Sequence, residues 1–284
     1  MIIARTIHEV REHISIWRRE GLSVGLVPTM GYLHEGHASL VDRARSNCDR
    51  VVVSDFVNPT QFAPNEDLES YPRDFEHDCK LLENHGCDLV FYPSVEEMYS
   101  PNAATYVEIL DEMPKQLCGK TRPIHFRGVC TIVSKLFNIV QPDKAFFGQK
   151  DAQQLAVIRK MVLDLSYGIE IIGCPIVRES DGLAKSSRNT YLSNEERKAA
   201  LVLSKAVFRG EEMVSAGIND ANRIIDEMKN IISAQPLAKI DYISVVDGKT
   251  MMPVDEIKDG VLVAMAVYIG KTRLIDNFIA GGQK

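Results

Sequence analysis

Two histidines stand three residues apart in the segment Pro28–His37, which reads PTMGYLHEGH. The segment follows a β-branched run that predicts a strand and opens a stretch with helical spacing. A helix that begins there offers unpaired N–H groups to an anion, and Gly31 and Gly36 permit close approach of the backbone. Residues three apart on a helix share a face, so His34 and His37 predict a phosphate site. A pair of surface histidines at a helix cap is the alternative interpretation.

Neutral amide side chains follow the second predicted strand. Asn58 and Gln61 belong to the run NPTQF, and each amide can both donate and accept hydrogen bonds. Such groups select a polyol or a hydroxy acid without adding charge. A turn nucleated by Asn58 and Pro59 is the alternative.

A lysine occupies an unusual position in the run FGQKDAQQ, residues 147–154. The run follows a predicted strand and begins a helix, and a cation at a helix start opposes the helix dipole. A residue that breaks a local rule is a candidate for function, and a bound phosphate would remove the conflict at Lys150. Asp151 can cap this helix, and Gln154 lies one turn further on the same side.

Two cations flank two hydroxyl groups in the run GLAKSSRN, residues 182–189. Arg188 can grip a phosphate with two parallel hydrogen bonds, whereas Lys185 acts as a point charge. This pattern suits a clamp for a triphosphate. A solvated linker is the alternative.

The elements that must position these residues alternate in the first half of the chain. The predicted strands are 23–27 (ended by Pro28), 51–57, 89–92, 144–147 and 170–177, and the predicted helices are 36–48, 72–84, 129–140 and 151–165. This alternation is typical of an α/β fold with a doubly wound parallel sheet and helices on both faces. Ligands of such sheets bind at the carboxyl ends of the strands, where the first three runs begin.

The pattern changes after about residue 177. Helical stretches at 194–215 and 220–234 precede strand-like runs at 240–246 and 261–269, with a turn signal at Asp247-Gly248. Helices followed by strands predict a second, smaller α+β domain. We therefore expect one domain over 1–176 and another over 177–284.

Composition excludes several classes of protein. The 284 residues are 45% hydrophobic with a net charge of −6, which is ordinary for a globular chain and disfavours binding to nucleic acid. The longest apolar run, Val261–Ile269, is far shorter than a membrane span, and the first twenty residues do not resemble an export signal. Six cysteines without a CxxC pair indicate reduced thiols of a cytoplasmic protein rather than a zinc site.

Taken together, the motifs resemble those of a known enzyme family. The run His34–His37 resembles the HIGH motif of nucleotidyltransferases and class I aminoacyl-tRNA synthetases, and Lys185–Arg188 resembles their KMSKS-type loop. The longer strings PTMGxLHxGH, NPTQF, HFRGV (His125–Val129), FGxKDxQQ and DGLAxSSRN, in this order, are similar to those of the pantoate–beta-alanine ligase family. The resemblance runs from about residue 2 to the end of the chain.

This resemblance implies a fold and a reaction. The fold would be a Rossmann-like domain that binds ATP and pantoate, with a smaller lid domain. The reaction would condense pantoate with beta-alanine to give pantothenate, AMP and pyrophosphate through a pantoyl-adenylate. The resemblance also implies Mg²⁺ with ATP, a cytoplasmic homodimer, small-molecule substrates, and neither nucleic acid nor membrane as a partner.

The resemblance also implies roles for individual residues. His37 matches the family's proton donor, and we predict that His34 and Lys150 act with it in catalysis. Gln61 would contact both pantoate and beta-alanine. The further pantoate contacts would be Gln154, Asn58 and, through its backbone, Met30. The ATP contacts would be Met30, Gly31, Tyr32, Leu33, His34, Glu35, Gly36, His37, Gly148, Gln149, Lys150, Asp151, Val177, Lys185, Ser186, Ser187 and Arg188.

One departure and three alternatives stay open at this point. Many relatives carry Met or Leu where this chain has Lys185, so either its side chain or only its backbone would touch ATP. Another nucleotidyltransferase would share the histidines and the serine loop, and a non-catalytic nucleotide-binding module would share the phosphate loops. A tRNA synthetase is disfavoured by length, by acidity and by the lack of an anticodon-binding region.

Overall fold

The computed structural model describes residues 1–64 and 66–281. These form two compact units. The large unit comprises the described residues of 1–110, 122–149 and 157–175, and the small unit those of 111–121, 150–156 and 176–284. The division into domains at 176/177 stays a prediction.

Nine strands and ten α-helices are present in the described ranges. The strands are β1 Ile2–Ala4, β2 Val24–Thr29, β3 Arg50–Asp55, β4 Leu89–Phe91, β5 Lys144–Gly148, β6 Glu170–Cys174, β7 Ala238–Asp247, β8 Val261–Ile269 and β9 Thr272–Ile279. The helices are α1 Ile7–Arg19, α2 Glu35–Arg45, α3 Phe75–Asn84, α4 Val95–Met98, α5 Cys118–Thr121, α6 His125–Val140, α7 Ala152–Asp164, α8 Asn194–Ala199, α9 Leu201–Ser215 and α10 Ala221–Ser233. Short 3-10 turns include Pro59–Gln61, Gln149–Asp151 and Ser187–Tyr191.

The large unit is built on a six-stranded parallel sheet of order β1-β4-β3-β2-β5-β6. From β2 the chain first adds β3 and β4 on one side and then β5 and β6 on the other. This is the doubly wound, Rossmann-like order, and its switch point lies between β2 and β5. The predicted parallel sheet is therefore confirmed, and ligands are expected beyond the carboxyl ends of these two strands.

The sheet lies in the core because its central strands are apolar on both faces. Val51, Val52 and Val53 of β3 are completely buried, as expected for near-continuous β-branched runs in a parallel sheet. Helix α2 packs its apolar stripe of Leu40, Val41 and Ala44 into the same cluster.

The only tryptophan of the chain lies in the large unit. Trp17 is buried on the inner face of α1. The guanidinium of Arg50 lies 5.7 Å from the centroid of its ring, a distance that permits a cation–π contact.

The small unit has an antiparallel sheet of order β7-β8-β9. Helices α9 and α10 contribute Val207, Ile224 and Met228 to a core that also contains Val263 and Met265 of β8. Helices followed by strands thus give the smaller α+β arrangement that the sequence predicts.

Two predicted boundaries in the large unit, one of a strand and one of a helix, are wrong for identifiable reasons. Pro28 does not end the first strand but lies within β2, opposite Ser54. Pairing of β2 with β5 covers only Gly25 and Leu26, so Pro28 lies where one side of β2 is no longer paired and a missing N–H is tolerated. The helix predicted from residue 72 begins only at Phe75, because Asp74 caps it by accepting from His77 N.

Other elements were longer, divided or not predicted. Helix α6 begins at His125 rather than at residue 129. The stretch 194–215 forms two helices that meet at Ala200. The elements β1, α1 and β9 were not predicted; in β9, which reads TRLIDNFI, polar and apolar residues come in pairs rather than alternating, so its apolar face is hidden.

Candidate active site

The loop between β2 and α2 is held by a buried carboxylate. Gly31 and Tyr32 both have positive φ angles, 78° and 50°, so consecutive backbone N–H groups turn to one side. Asp78 of α3 accepts from Tyr32 N and Leu33 N, each at 2.7 Å. These bonds fix the path of the loop that delivers His34 to the start of α2.

A second carboxyl group lies beneath the same loop. Asp55 ends β3, is 4% exposed, and interacts electrostatically with Asp78. A Cβ on Gly31 would lie 2.3 Å from Asp55 Oδ1, so only glycine fits there. Burial, reinforced by the charge of Asp78, raises the pKa of Asp55 to about 7. Burial also raises the pKa of Asp78, so the pair holds a proton near neutral pH.

The two predicted histidines form one cap at the start of α2. His34 is the N-cap and its Nδ1 accepts from Gly36 N at 3.1 Å, while His37 Nδ1 accepts from His34 N at 3.3 Å. Their ring centroids are 4.2 Å apart. A neutral imidazole that accepts at Nδ1 carries its proton on Nε2, so each ring presents an N–H donor at the positive end of a helix.

The predicted amide residues also meet in the large unit. Asn58 Nδ2 donates to Gln61 Oε1 at 3.1 Å, and Gln61 Nε2 lies 3.0 Å from the sulfur of Met30. Asn58 Oδ1 accepts from Tyr99 Oη at 2.8 Å. Both amides are buried, with 1% of Asn58 and 6% of Gln61 exposed. The turn alternative is also realised, because Asn58 caps the 3-10 turn Pro59–Gln61.

The HFRGV segment, His125–Val129, packs against the backbone of the 3-10 turn that contains Gln61. A Cβ on Gly128 would come within 2.5 Å of both Gln61 Cα and Thr60 O, so α6 touches the backbone of the 3-10 turn. His125 Nδ1 lies 3.1 Å from Gln61 O, and Arg122 pairs with Glu66 beside it. These contacts set the position of the Gln61 side chain.

A cleft of about 190 Å³ opens beside the loop between β2 and α2. Its walls are the residues 30–32, the end of β3 from Asp55 to Val57, the segment 73–75 with Asp78, and the segment 92–95. Met30 and Asp55 therefore line an open space at the carboxyl edge of the sheet, where ligands of this fold are expected.

The residues after β5 divide between the two units. Gly148 belongs to the large unit, and a Cβ there would meet no atom within 4 Å, so a ligand can approach its backbone closely. Lys150 belongs to the small unit, and its Nζ lies 3.4 Å from Asp151 Oδ2. Asp151 thus partly offsets the cation that the sequence places against the helix dipole.

The serine loop of the small unit closes a short hairpin. Lys185 N donates to Val177 O at 3.0 Å, and Arg178 pairs with Ala184 in an antiparallel bridge. Lys185 Nζ lies 3.1 Å from Glu179 Oε2. Ser186 caps the 3-10 turn that begins at the buried Ser187 by accepting from Arg188 N at 3.3 Å.

The predicted site residues divide between the two units. The group in the large unit is Met30, Gly31, Tyr32, Leu33, His34, Glu35, Gly36, His37, Asn58, Gln61, Gly148 and Gln149, and the group in the small unit is Lys150, Asp151, Gln154, Val177, Lys185, Ser186, Ser187 and Arg188. Gln154 is half-buried in α7.

Known proteins resemble this chain over its whole length. The family model described as pantoate-beta-alanine ligase matches residues 2–279. Curated relatives called pantothenate synthetase include one from Ruminiclostridium cellulolyticum, 59% identical over 96% of both chains, and one from Enterococcus faecalis, 56% identical over 98% of both.

Solved structures agree with the curated relatives. The crystal structure of pantothenate synthetase from Thermus thermophilus superposes with a TM-score of 0.94 at 44% identity, covering 99% of each chain. The structure of pantoate-beta-alanine ligase from Francisella tularensis, described as complexed with beta-gamma ATP and beta-alanine, superposes with a TM-score of 0.81 at 34% identity over 100% of this chain and 99% of that one.

The chain belongs to the pantoate–beta-alanine ligase family. This ligase forms the amide C–N bond between pantoate and beta-alanine and depends on ATP. The activity accounts for motifs from both units, which a nucleotidyltransferase for another acid or a non-catalytic nucleotide module would not need together.

Sequence reasoning missed several residues that support the candidate site residues. Asp78 accepts hydrogen bonds from the loop between β2 and α2, and Asp55 interacts with Asp78. Tyr99 donates a hydrogen bond to Asn58 of the amide pair. The signal for Asp55 was available, since it ends a strand at the carboxyl edge of a parallel sheet. No local signal marks Asp78 or Tyr99, because both act across long sequence separations.

The described residues contain neither a helix that could span a membrane nor a cluster of side chains that could hold a metal ion. Across 1–64 and 66–281, every helix is too short or too polar to cross a bilayer. Among the same residues, three or more histidine, cysteine or acidic side chains do not gather at one point. The six cysteines are unpaired, and Cys79 and Cys118 are partly exposed.

Proposed function

We propose that the large-unit residues, together with Gln154 of the small unit, hold pantoate and the reacting phosphate, and that Lys150 and the serine loop of the small unit hold the rest of the triphosphate. The observation that carries the proposal is the coincidence of the whole-chain family match with the imidazole pair at the start of α2. In the first step, a carboxylate oxygen of pantoate attacks the α-phosphorus of ATP, and the bond to pyrophosphate breaks. The product is a mixed anhydride, pantoyl-adenylate.

His34 and His37 stabilise the charge that grows during this step. Their Nε2–H groups and the helix N-terminus form a set of donors fixed in advance, because each Nδ1 is committed to the cap. Preorganised donors lower the barrier more than mobile ones do. His37 is the proton donor in this assignment.

Asn58, Gln61 and Gln154 position pantoate, with the backbone of Met30. The mutual contacts of Asn58 and Gln61 orient both amides, and neutral amides can bind hydroxyl groups without competing for the phosphate. Gln61 also contacts beta-alanine, whose free amine attacks the acyl carbon in the second step and releases AMP.

Lys150, Ser186, Ser187 and Arg188 bind the phosphates, while Gly148, Gln149, Asp151 and Val177 contact the rest of ATP. We assign the contact of Lys185 to its backbone, since its ammonium group pairs with Glu179. Residues 177–284 serve as a lid that keeps water from the acyl-adenylate, which otherwise hydrolyses.

ATP enters as its Mg²⁺ complex. Phosphate oxygens are preferred ligands of this ion, and within the described ranges the acidic side chains do not form a cage of their own. EDTA should therefore stop turnover and leave the unfolding temperature unchanged. A fall in that temperature on chelation would instead assign the metal to the fold.

The proposal also covers the oligomeric state of the enzyme and its location in the cell. We propose a homodimer formed through the large unit, where Leu110, Leu163 and Leu165 are exposed apolar side chains, the first of them 82% exposed. We place the enzyme in the cytoplasm, where ATP is available and unpaired thiols persist. Light scattering on a size-exclusion column measures the mass of the particle in solution directly. The mass of a monomer would overturn the proposed homodimer.

Isotope transfer tests the central proposal. Pantoate alone should support exchange between ATP and pyrophosphate, and oxygen-18 in its carboxylate should appear in AMP after beta-alanine is added. Label that stays wholly in pantothenate would rule out the acyl-adenylate.

A further inference from the structure

Two polar residues are buried side by side on the edge strand β9. Asp276 is 1% exposed and Asn277 is 5% exposed. Successive strand residues point to opposite faces, so this pair can hold one segment on each face of the small sheet. Leu274 and Phe278, which share a face with Asp276, belong to the core of the small unit.

Asp276 holds the hairpin that carries the serine loop. Its carboxylate accepts two hydrogen bonds from Arg178, at 2.7 Å to Nη1 and 2.9 Å to Nη2. Arg178 Nη1 also donates to Gly182 O at 3.1 Å, and the Arg178 guanidinium lies 5.1 Å from the ring centroid of Phe208. Such a planar two-point contact fixes direction as well as distance.

Asn277 holds the other phosphate segment. Its Nδ2 donates to the carbonyl oxygen of Lys150 at 2.8 Å. Its own backbone N–H donates to Asp276 Oδ1 at 2.8 Å. One carboxylate therefore contacts both the Arg178 guanidinium and the backbone of the residue that holds Lys150.

Folding alone does not require this arrangement. A buried ion pair contributes little net stability compared with apolar residues of similar size, and β9 already supplies apolar residues to the core. Buried polar groups of this kind are retained where they fix a geometry, and both of their targets are segments assigned to the triphosphate.

We propose that Asp276 and Asn277 are positioning residues that fix Lys150 and the 182–188 loop relative to each other within the small unit. We call this pair the β9 brace. The inference rests on the proposed function of Lys150 and of the serine loop. The brace acts on ATP only through these two segments and does not touch the substrate.

The central variant is Asn277→Ala, which removes the bond to Lys150 O and leaves the ion pair in place. Single-turnover pyrophosphate release at saturating pantoate should slow by about tenfold, the range of one hydrogen bond that is lost at a position that matters. Asp276→Asn, which unpairs Arg178, should raise the KM for ATP as well.

The chain offers a matched control in the same sheet. Arg273 pairs with Asp241 at 2.7 Å in another ion pair with little exposure, and the further side-chain partner of Arg273 is Cys118 Sγ at 3.5 Å. Asp241→Asn should lower the unfolding temperature and leave the rate of pyrophosphate release unchanged. If Asp241→Asn slows the reaction as much as Asp276→Asn does, the brace is only a contribution to stability.

A double variant separates positioning from a general structural effect. If Asn277 acts through Lys150, then Asn277→Ala should have no further effect on the rate in a Lys150→Ala background. An equal loss in both backgrounds would overturn the brace, as would a normal rate for Asn277→Ala beside an impaired Lys150→Ala. A normal rate for Lys150→Ala itself would refute the phosphate role of Lys150 and the brace with it.

Discussion

The imidazole rings of His34 and His37 each do two things at once. Their Nδ1 atoms satisfy backbone N–H groups that a helix start would otherwise leave without partners. In the neutral form of both rings, these bonds place the proton on Nε2. The surface-cap interpretation is therefore confirmed, and the functional interpretation stays a prediction.

His37→Ala should lower the rate of adenylation by roughly 10²–10³-fold, the range for removal of one preorganised donor. The KM for pantoate should change little, because this donor acts mainly in the transition state. Single-turnover pyrophosphate release across pantoate concentrations measures both. His85, which pairs with Asp42 on the surface of the large unit, provides the control, and His85→Ala should behave as wild type.

Two adjacent glutamines should respond differently to the same substitution. Gln153 is buried and bonds to Cys118 N, Met113 O and Gln116 O, whereas Gln154 is half-buried. Gln154→Ala should chiefly raise the KM for pantoate. Gln153→Ala should lower the unfolding temperature, because it leaves buried backbone groups unsatisfied. Equal pantoate KM values for Gln154→Ala and wild type would remove Gln154 from the pantoate site.

Asp55 gives the ligase a pH-dependent term in its stability. Its pKa rises from 3.8 to about 7 on folding, so between these values the folded state binds more protons than the unfolded state. The contribution of Asp55 is complete below pH 3.8 and is lost as the pH rises through 7. Asp55→Asn keeps a donor toward Asp78 and cannot ionise. It should therefore unfold at a higher temperature than wild type at about pH 8, above the folded-state pKa.

Thermal unfolding of Asp55→Asn and wild type at several pH values tests whether the Asp55 carboxyl group contributes this pH dependence. The gap between Asp55→Asn and wild type should be larger at about pH 8 than at about pH 4, because only the higher pH lies above the folded-state pKa. Asp49 is the control, since hydrogen bonds from Ser23 lower its pKa. Asp49→Asn should then be less stable than wild type at the higher pH. A constant gap for Asp55→Asn would mean that its carboxyl group does not titrate in this range.

At the scale of elements, the contact between α6 and the 59–61 turn links packing to substrate binding. Gly128→Ala would push a methyl group to within 2.5 Å of Gln61 Cα, so the turn must move. The KM for pantoate should rise severalfold and the unfolding temperature should fall. Gly168→Ala, at a position with no atom within 4 Å of the new Cβ, should change neither. An unchanged KM for Gly128→Ala would show that the turn does not position Gln61 for binding.

The periodic elements were predictable because their patterns are local. The strand at 261–269 agrees with β8 residue for residue, and the buried run at 51–57 gives β3. The short β1 and the mixed β9 were missed, since Ile2–Ala4 has too few residues for a pattern and β9 buries Asp276 and Asn277. From the sequence alone, these two polar side chains are expected to face solvent. Their buried partners, Arg178 and the carbonyl group of Lys150, lie far away along the chain.

The site was predictable to the extent that its residues follow strands. The carboxyl edge of a parallel sheet collects the residues at the ends of β2, β3 and β5, so the placement of His34, Asn58 and Gly148 at that edge could be predicted from order alone. The supporting contacts of Asp78, Tyr99 and Gly128 join segments far apart in the sequence. Spacing carries no information about them.

The whole molecule consists of two units, each with its own hydrophobic core. The core of the large unit surrounds the parallel sheet, and the core of the small unit lies between its helices and the antiparallel sheet. Units with separate cores can open with different free energies. Substitutions in one core should therefore act first on the unit that contains them.

Trp17 makes that difference observable without a label. It is the only tryptophan in the sequence and is buried in the large unit. Indole fluorescence, excited where tyrosine does not absorb, therefore follows the large unit alone, whereas far-ultraviolet circular dichroism follows the helices of both units. Chemical denaturation monitored by the two signals measures, from their midpoints, how strongly the units are coupled energetically.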